Sequence, residues 1–277
     1  MKSQFNLLYP EWQGYGDHQE VYHGAHHFCN HVGKGLKFEE IDVPASEVLN
    51  HEGKIIGRTS LLRMMDQAKS ILSQVNPSHT FMIGGTCACE VIPVSYLNQK
   101  YDGDLAVFWF DAHGDLNTPE SSPSGRLHGM PLRSLLGEGD DQVIDRVSRI
   151  LAPDQVALVG TRDLDEGEKL FIDENRIPIF RPSTKSHLNE LIDFAGSAGY
   201  TRAYIHFDLD VLEPTEFPHV LVPVEEGLRI KQAVEGLSVI RKHFEIVGCS
   251  IVEYCPKNGG GSDDLRKIAV DGLGLEL

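Results

Sequence analysis

The chain has 277 residues, a length typical of one large domain or two small ones. Asp and Glu number 41 against 25 Lys and Arg, and the resulting net charge of −16 argues against binding to nucleic-acid phosphates. No segment approaches the roughly 20 apolar residues that cross a bilayer, and no signal-peptide stretch opens the chain. The five cysteines contain no C-x-x-C pair, which predicts reduced thiols in a cytoplasmic protein.

Short apolar runs alternate with longer amphipathic segments, which predicts helices between the strands of a parallel sheet buried on both faces. Strands are predicted at 4–9, 38–43, 79–85, 105–112, 155–161, 177–181, 202–211 and 245–254. Apolar residues recur at helical spacing in segments 58–75, 185–198 and 230–243. Since no linker or repeat interrupts this pattern, residues 1–277 are expected to form a single α/β domain.

Ligand-type side chains follow two of the predicted strands. Asp111, His113 and Asp115 come directly after one apolar run, and Asp208 and Asp210 come after another. Ligands of open α/β sheets bind at the carboxyl ends of the strands, and residues two apart on extended backbone share a face. We therefore expect these side chains to converge. Because neighbouring carboxylates cannot all ionise without cations, the pattern predicts two divalent metal ions, and oxygen-rich ligands favour Mn²⁺.

The predicted pair of ions indicates a hydrolase. Two ions that share a water lower its pKa and produce a hydroxide nucleophile near neutral pH. No G-x-S-x-G segment is present, which argues against a serine-hydrolase mechanism. The alternative interpretation of these aspartates is an ordinary cluster of capping and turn residues in loops.

Four segments resemble, in the same order, the motifs of the ureohydrolase superfamily, which contains the arginases and agmatinases. They read GGTCA from residue 84, DAHGD from 111, DLDVLEP from 208 and EYCP from 253. The resemblance implies a three-layer α/β/α fold with a mostly parallel eight-stranded sheet, usually assembled as a homo-trimer or hexamer. It also implies metal-dependent hydrolysis of a C–N bond in a small guanidino compound.

The resemblance assigns the metal ligands residue by residue. Asp111 and Asp208 would bridge the two ions. Asp115 would complete the set of ligands around one ion, while His113 and Asp210 would complete the set around the other.

The resemblance also implies how a substrate would be held. Glu253 would bind the guanidinium group by charge-assisted hydrogen bonds. His128, in an S-x-x-x-H-G segment, would carry a proton to the leaving amine. The amino-acid head would be bound by four further residues, with Asn117 and Ser124 at the α-carboxylate and Asp165 and Glu168 at the α-amino group. The last two acids are also typical of the first turn of a helix.

The chain departs from the family's motifs at three places. Cys87 stands where the family has a histidine, so we expect a thiolate ligand on the ion that Asp115 completes; a cysteine that only packs is the alternative. Glu213 replaces the final Asp of its motif, and segment 221–223 reads LVP where arginases have Gly-Thr-Pro. The segments GTRDLDEGE from residue 160 and IHFDLDVLEP from residue 205, together with a cysteine at the metal, resemble the branch that converts Nω-hydroxy-L-arginine to hydroxyurea and ornithine. We expect either this substrate or L-arginine.

Other functions remain as alternatives at this stage. The substrate of the same chemistry could be agmatine, guanidinobutyrate or formiminoglutamate, or the chain could be a catalytically silent metal-binding relative. A histidine-rich segment at 23–31 is a candidate for an additional metal site, although exposed histidines are the commoner case.

Overall fold

The computed structural model describes residues 4–181, 185–197 and 199–277. Within these ranges the chain forms ten strands: β1 (Phe5–Tyr9), β2 (Phe38–Glu40), β3 (His51–Glu52), β4 (Ile55–Ile56), β5 (Thr80–Gly84), β6 (Ala106–Phe110), β7 (Val156–Val159), β8 (Ile179–Phe180), β9 (Arg202–Phe207) and β10 (Glu245–Ile251). Eight of them form one sheet in the order β2-β1-β5-β10-β9-β6-β7-β8. Every pairing in this sheet is parallel, whereas β3 and β4 form a separate antiparallel pair.

The described ranges also contain nine α-helices: α1 (Glu20–His31), α2 (Arg58–Val75), α3 (Val91–Lys100), α4 (Pro131–Leu135), α5 (Asp141–Ile144), α6 (Glu166–Asn175), α7 (Lys185–Ser197), α8 (Ile230–His243) and α9 (Ser262–Lys267). None of these helices is both long and apolar enough to cross a membrane.

The central strands are apolar on both faces because both faces are covered. In β6, Phe108 and Phe110 pack into the cluster that contains α1, α7 and α8, whereas Val107 and Trp109 pack into the cluster that contains α3 and α6. Helix α2 covers the neighbouring strands on this second side. The arrangement is a three-layer α/β/α fold, which confirms the fold predicted from the sequence.

The predicted elements agree with the structure in position and differ at their ends. All eight predicted strands overlap the strands of the main sheet, and α2 and α8 have their predicted bounds. Helix α7 ends at Ser197, and the predicted end at 198 lies outside the described residues. The strands predicted at 202–211 and 245–254 end earlier, at Phe207 and Ile251, because the backbone turns where the site begins.

Candidate metal centre

Four neighbouring strands of the sheet, β5, β10, β9 and β6, bring the predicted metal ligands and the predicted substrate-binding Glu253 to one edge. Parallel strands place their carboxyl ends at the same edge, so residues that follow each strand converge there. Cys87 follows β5, Glu253 follows β10, Asp208 follows β9 and Asp111 follows β6. The predicted position of the site at the carboxyl ends of the strands therefore agrees with the topology.

The ligand side chains converge through turns, and the expectation of extended backbone was wrong. Asp208 precedes a 3₁₀-helix at Leu209–Val211, and its Oδ1 accepts a hydrogen bond from the backbone N–H of Asp210 at 2.8 Å. Asp115 and Glu253 have φ angles of 55° and 62°. Left-handed backbone is uncommon outside glycine, and such strain is held by surrounding contacts and concentrates at functional sites.

Two groups of possible ligand atoms lie within 4.8 Å of one another: Cys87, Asp111, His206 and Asp208 in one, and Asp111, His113 and Asp210 in the other. Asp111 belongs to both groups, as a residue between two ions must. The Sγ atom of Cys87 lies 3.0 Å from Asp208 Oδ2. Asp115 is in neither group, although it lines the same cavity with a buried Oδ2 that has no hydrogen-bond partner.

The buried acidic groups of this cluster are poorly stabilised as anions unless cations lie among them. Burial, followed by the charge of Asp111, raises the pKa of Asp115 well above its usual range. Burial and the neighbouring Asp210 raise the pKa of Asp208 in the same way. Burial and the charge of Asp115 raise the pKa of the Cys87 thiol. Each shift disfavours the anion, and divalent cations among these groups would reverse it.

Two further observations indicate that these side chains suit divalent ions. Among the described residues, Asp115 Oδ2 and His206 Nε2 are buried at the site and make no hydrogen bond. The two groups combine carboxylate oxygens with imidazole nitrogens and a sulfur, which suits Mn, Co and Zn better than Mg or Ca.

The ligands line one side of a cavity of about 130 Å³. Its other walls are formed by Val220, by Leu221 and Val222 of the LVP segment, and by Tyr15, Ser124, Arg126 and His128. His128 stacks on the Tyr15 ring with centroids 4.1 Å apart. Burial, and then the charge of His113, lowers the pKa of His128 to about 3. Its imidazole is therefore neutral near pH 7.

Three residues at the site were missed by the sequence analysis: Tyr15, Arg126 and His206. Arg126 stands between Ser124 and His128, and both of these were predicted to contact substrate. His206 stands two residues before Asp208 on the same strand face, so period-two spacing could have revealed it. Tyr15 lies in a loop and has no comparable signal.

Of the residues predicted to bind an amino-acid head, Ser124 lines the cavity, whereas Asp165 and Glu168 lie at the start of α6. Asn117 Nδ2 donates to Asp165 Oδ2 at 2.8 Å. Both oxygens of the buried Glu168 accept backbone N–H groups at 2.9 Å, from Leu116 and from Asp165. In the structure, Glu168 therefore holds the loop and the helix start together, while Asp165 is exposed. Ser124 is also exposed.

Arg162 ties the ligand loop to the two residues that directly follow the LVP segment. Its guanidinium donates to five backbone carbonyl oxygens, those of Gly160, Asp210, Val211, Val224 and Glu225, at distances from 2.8 to 3.3 Å. One side chain therefore links the backbone that carries Asp210 to the backbone that follows the LVP segment.

The histidine-rich segment forms α1. His27 and His31 stack with ring centroids 3.9 Å apart, and His26 lies 3.7 Å from Glu40. Within the described part of the chain, the only groups of three or more possible ligands are the two described above. The segment therefore forms no third donor group there.

Comparison with known proteins decides the family. The model of the arginase family matches residues 25–270, which is most of the chain. The chain belongs to the arginase family. This membership makes it a metal-dependent hydrolase of amidino C–N bonds by class and confirms the enzyme class predicted from the motifs.

Individual arginase-family proteins show the extent of the similarity. An arginase of Staphylococcus aureus is 32% identical over 228 residues, covering 78% of this chain and 75% of that protein. The solved arginase of Bacillus caldovelox superposes with a TM-score of 0.88 at 24% identity, covering 100% of both chains. The formimidoylglutamase of Bacillus subtilis superposes with a TM-score of 0.77 at 16% identity, covering 99% of this chain and 86% of that one. At these identities, the superpositions show the fold alone.

Proposed function

We propose that this arginase-family protein hydrolyses the guanidino group of an arginine-like amino acid. L-Arginine would give urea and ornithine, and Nω-hydroxy-L-arginine would give hydroxyurea and ornithine. The observation that carries the proposal is the shared cavity, in which the carboxylates of both ligand groups face His128 and the Ser124–Arg126 loop. The cationic end of a substrate and its amino-acid head would therefore bind at separate walls of the cavity.

The residues of the chain supply binding and proton transfer. When bound, two divalent cations would make a water nucleophilic near neutral pH. Glu253, at the cavity wall, would bind the guanidinium N–H groups through its carboxylate. The neutral imidazole of His128 would take a proton as the water attacks the guanidinium carbon. It would then pass that proton to the departing amine nitrogen of ornithine as the C–N bond breaks.

The opposite wall favours a substrate with an intact α-carboxylate. Arg126 lines the cavity beside Ser124, and its side chain lies over Tyr15 with the guanidinium carbon 5.4 Å from the ring centroid. A guanidinium in this place would bind a carboxylate more strongly than the Ser124 hydroxyl alone. Asp165, held by Asn117, would meet the α-amino group. Agmatine lacks the carboxylate and would lose these contacts.

The guanidine end favours Nω-hydroxy-L-arginine as a substrate beside L-arginine. Cys87 would donate more charge to its ion than an imidazole, which weakens the ion as a Lewis acid. An electron-withdrawing N-hydroxyl group makes the guanidino carbon easier to attack and would compensate. The apolar residues 220–222 line the cavity next to these groups.

A substrate panel tests the proposal. Purified protein loaded with Mn²⁺ is assayed for ornithine release from L-arginine and Nω-hydroxy-L-arginine, with agmatine hydrolysis as the comparison and chelator-treated protein as the control. We expect ornithine from at least one of the two amino acids and far less product from agmatine. Protein that holds two ions per chain and releases no product from any guanidino compound would instead be a silent metal-binding relative.

A further inference from the structure

A completely buried histidine that none of the family motifs contains lies beneath the predicted metal centre. His206, on β9, is 0% exposed and stacks on Trp109 of the neighbouring strand with ring centroids 3.7 Å apart. Its Nδ1 lies 2.9 Å from Glu90 Oε1. The other oxygen of Glu90 accepts the Tyr204 hydroxyl at 2.6 Å. Glu90 therefore accepts a hydrogen bond from Nδ1–H, and in the neutral ring this tautomer places the lone pair on Nε2.

The opposite ring nitrogen points at the ligands and has no hydrogen-bond partner. It lies 3.6 Å from Asp111 Oδ2, which is too long for a hydrogen bond. That oxygen instead accepts the indole N–H of Trp109 at 3.3 Å. A buried imidazole lone pair beside a carboxylate is unfavourable unless a proton or a cation lies between them.

We infer that His206 is an imidazole ligand of the cation held by Cys87, and that Glu90 orients it. The inference rests on the proposed two-metal function. The donor atoms of His206, Cys87, Asp111 and Asp208 lie within 4.8 Å of one another, close enough to share one ion. A histidine that binds a metal through one nitrogen commonly donates the other N–H to a carboxylate, which fixes the ring and raises its basicity.

This ligand explains how the centre works without the family's usual histidine. The short helix Cys87–Glu90 carries the thiol at one end and the orienting carboxylate at the other. Strand β9 thus supplies an imidazole in place of the one missing at position 87. The carboxylate that orients this imidazole, that of Glu90, comes from the same short helix as Cys87. The competing role for His206 is to position Asp111 by a hydrogen bond without touching the metal.

X-ray absorption of the wild-type protein separates these roles without any substitution. We load the protein with Mn²⁺, confirm two ions per chain, and count the imidazole ligands from the histidine scattering. The inference requires one imidazole on each ion, from His113 and His206. A count of only one imidazole ligand for the two ions together would overturn the inference and leave the proposed function intact. Failure of the wild-type protein to hold any metal would overturn both.

Substitutions provide a second measurement, metal content after dialysis at a Mn²⁺ concentration that saturates the wild type. We expect His206→Gln, which keeps a donor for Glu90, to retain one ion per chain, and His206→Ala to do the same if circular dichroism shows that it is folded. Glu90→Gln should lower the affinity for the same ion by about 10–100-fold. Tyr204→Phe is the matched control and should retain both ions. Wild-type affinity for two ions in His206→Gln would overturn the inference.

Discussion

The thiol of Cys87 and the carboxylate of Asp208 face each other at 3.0 Å, and both side chains are buried. Two groups that both become anions would repel each other at this distance, so without a cation at least one of them stays protonated. A metal ion replaces such protons when it binds. The affinity of this side of the centre should therefore fall as the pH is lowered.

Replacement of Cys87 tests whether the thiol binds metal. We expect Cys87→Ser to lose the thiolate-to-metal absorption of the Co²⁺-loaded protein and to hold one of its ions more weakly, because the soft, charged ligand is gone. Cys87→His should retain or improve Mn²⁺ binding and move substrate preference toward L-arginine. Cys249→Ser, a buried thiol in β10, is the control. Unchanged absorption and metal content in Cys87→Ser would show that the thiol only packs.

Replacement of His128 tests the proton transfer. We expect His128→Asn to lower kcat by about 10²–10⁴-fold with unchanged metal content. Burial, and then His113, lowers the pKa of His128 to about 3, so its protonation should not reduce the rate of the wild type between pH 5 and 8. The measurement is kcat against pH for both proteins, with Tyr15→Phe as a variant that keeps the stacked ring. An unchanged kcat in His128→Asn would remove the residue from the mechanism.

Replacement of Arg126 tests recognition of the substrate's carboxylate. We expect Arg126→Met to raise KM for the amino-acid substrate by about 10–100-fold, since a hydrogen bond to a charged group is worth about 1.5–3 kcal/mol. The KM for agmatine, which has no carboxylate, should change little. Arg176→Met, at the far end of α6, is the control for general charge. Equal effects on both substrates would argue that Arg126 acts on the fold or on its ion pair with Asp17.

Glu11 predicts a pH dependence of stability. It is buried beside Gly85 and Thr86, and its Oε2 accepts the Thr86 hydroxyl at 2.5 Å. Burial raises its pKa to about 7. The folded state therefore binds more protons than the unfolded state between about pH 4.5 and 7, and stability falls as the pH rises through this window.

The effect is measured by urea unfolding of the metal-free wild type and Glu11→Gln at pH 5 and pH 8. The variant should gain up to about 3 kcal/mol relative to the wild type between these values, because one unit of pKa shift is worth about 1.4 kcal/mol. Glu39→Gln, on exposed strand β2, should show no such gain. Parallel pH dependences of wild type and Glu11→Gln would place the titrating group elsewhere.

Much of the fold could be predicted because its strands are short and apolar on both faces. The runs that contain Phe108 and Ile205 are typical of a sheet covered on both sides. Helix α1 was not predicted, since its four histidines conceal the buried stripe that includes Val21, Ala25 and Phe28. The ends of β9 and β10 were also wrong, because local turns that aim Asp210 and Glu253 are set by tertiary contacts that the apolar pattern does not encode.

The site could be predicted where its residues form motifs and could not where they do not. Asp111 and Asp208 follow strands in recognisable order, so the sequence alone is enough to propose them as ligands. His206 lies inside a strand, where an isolated histidine is usually a packed core residue. Its period-two spacing from Asp208 makes it a candidate, and its distance from Asp111 and its partner Glu90, 116 positions earlier in the chain, distinguish it from such a core residue. Arg126 was missed because one basic residue in a loop has no distinctive pattern.

The hydrogen bonds of Arg162 bear on how this protein could change its substrate. Because the guanidinium binds the main-chain oxygens of Val224 and Glu225, directly after the LVP segment, the anchor does not depend on which side chains that segment carries. Leu221 and Val222 can therefore vary in size and polarity while the loop keeps its place over the cavity, whereas Val220 is buried in the core. The chain thus separates a wall free to diverge from a metal centre that must stay fixed, which is the arrangement expected where one chemistry is adapted to several guanidino compounds.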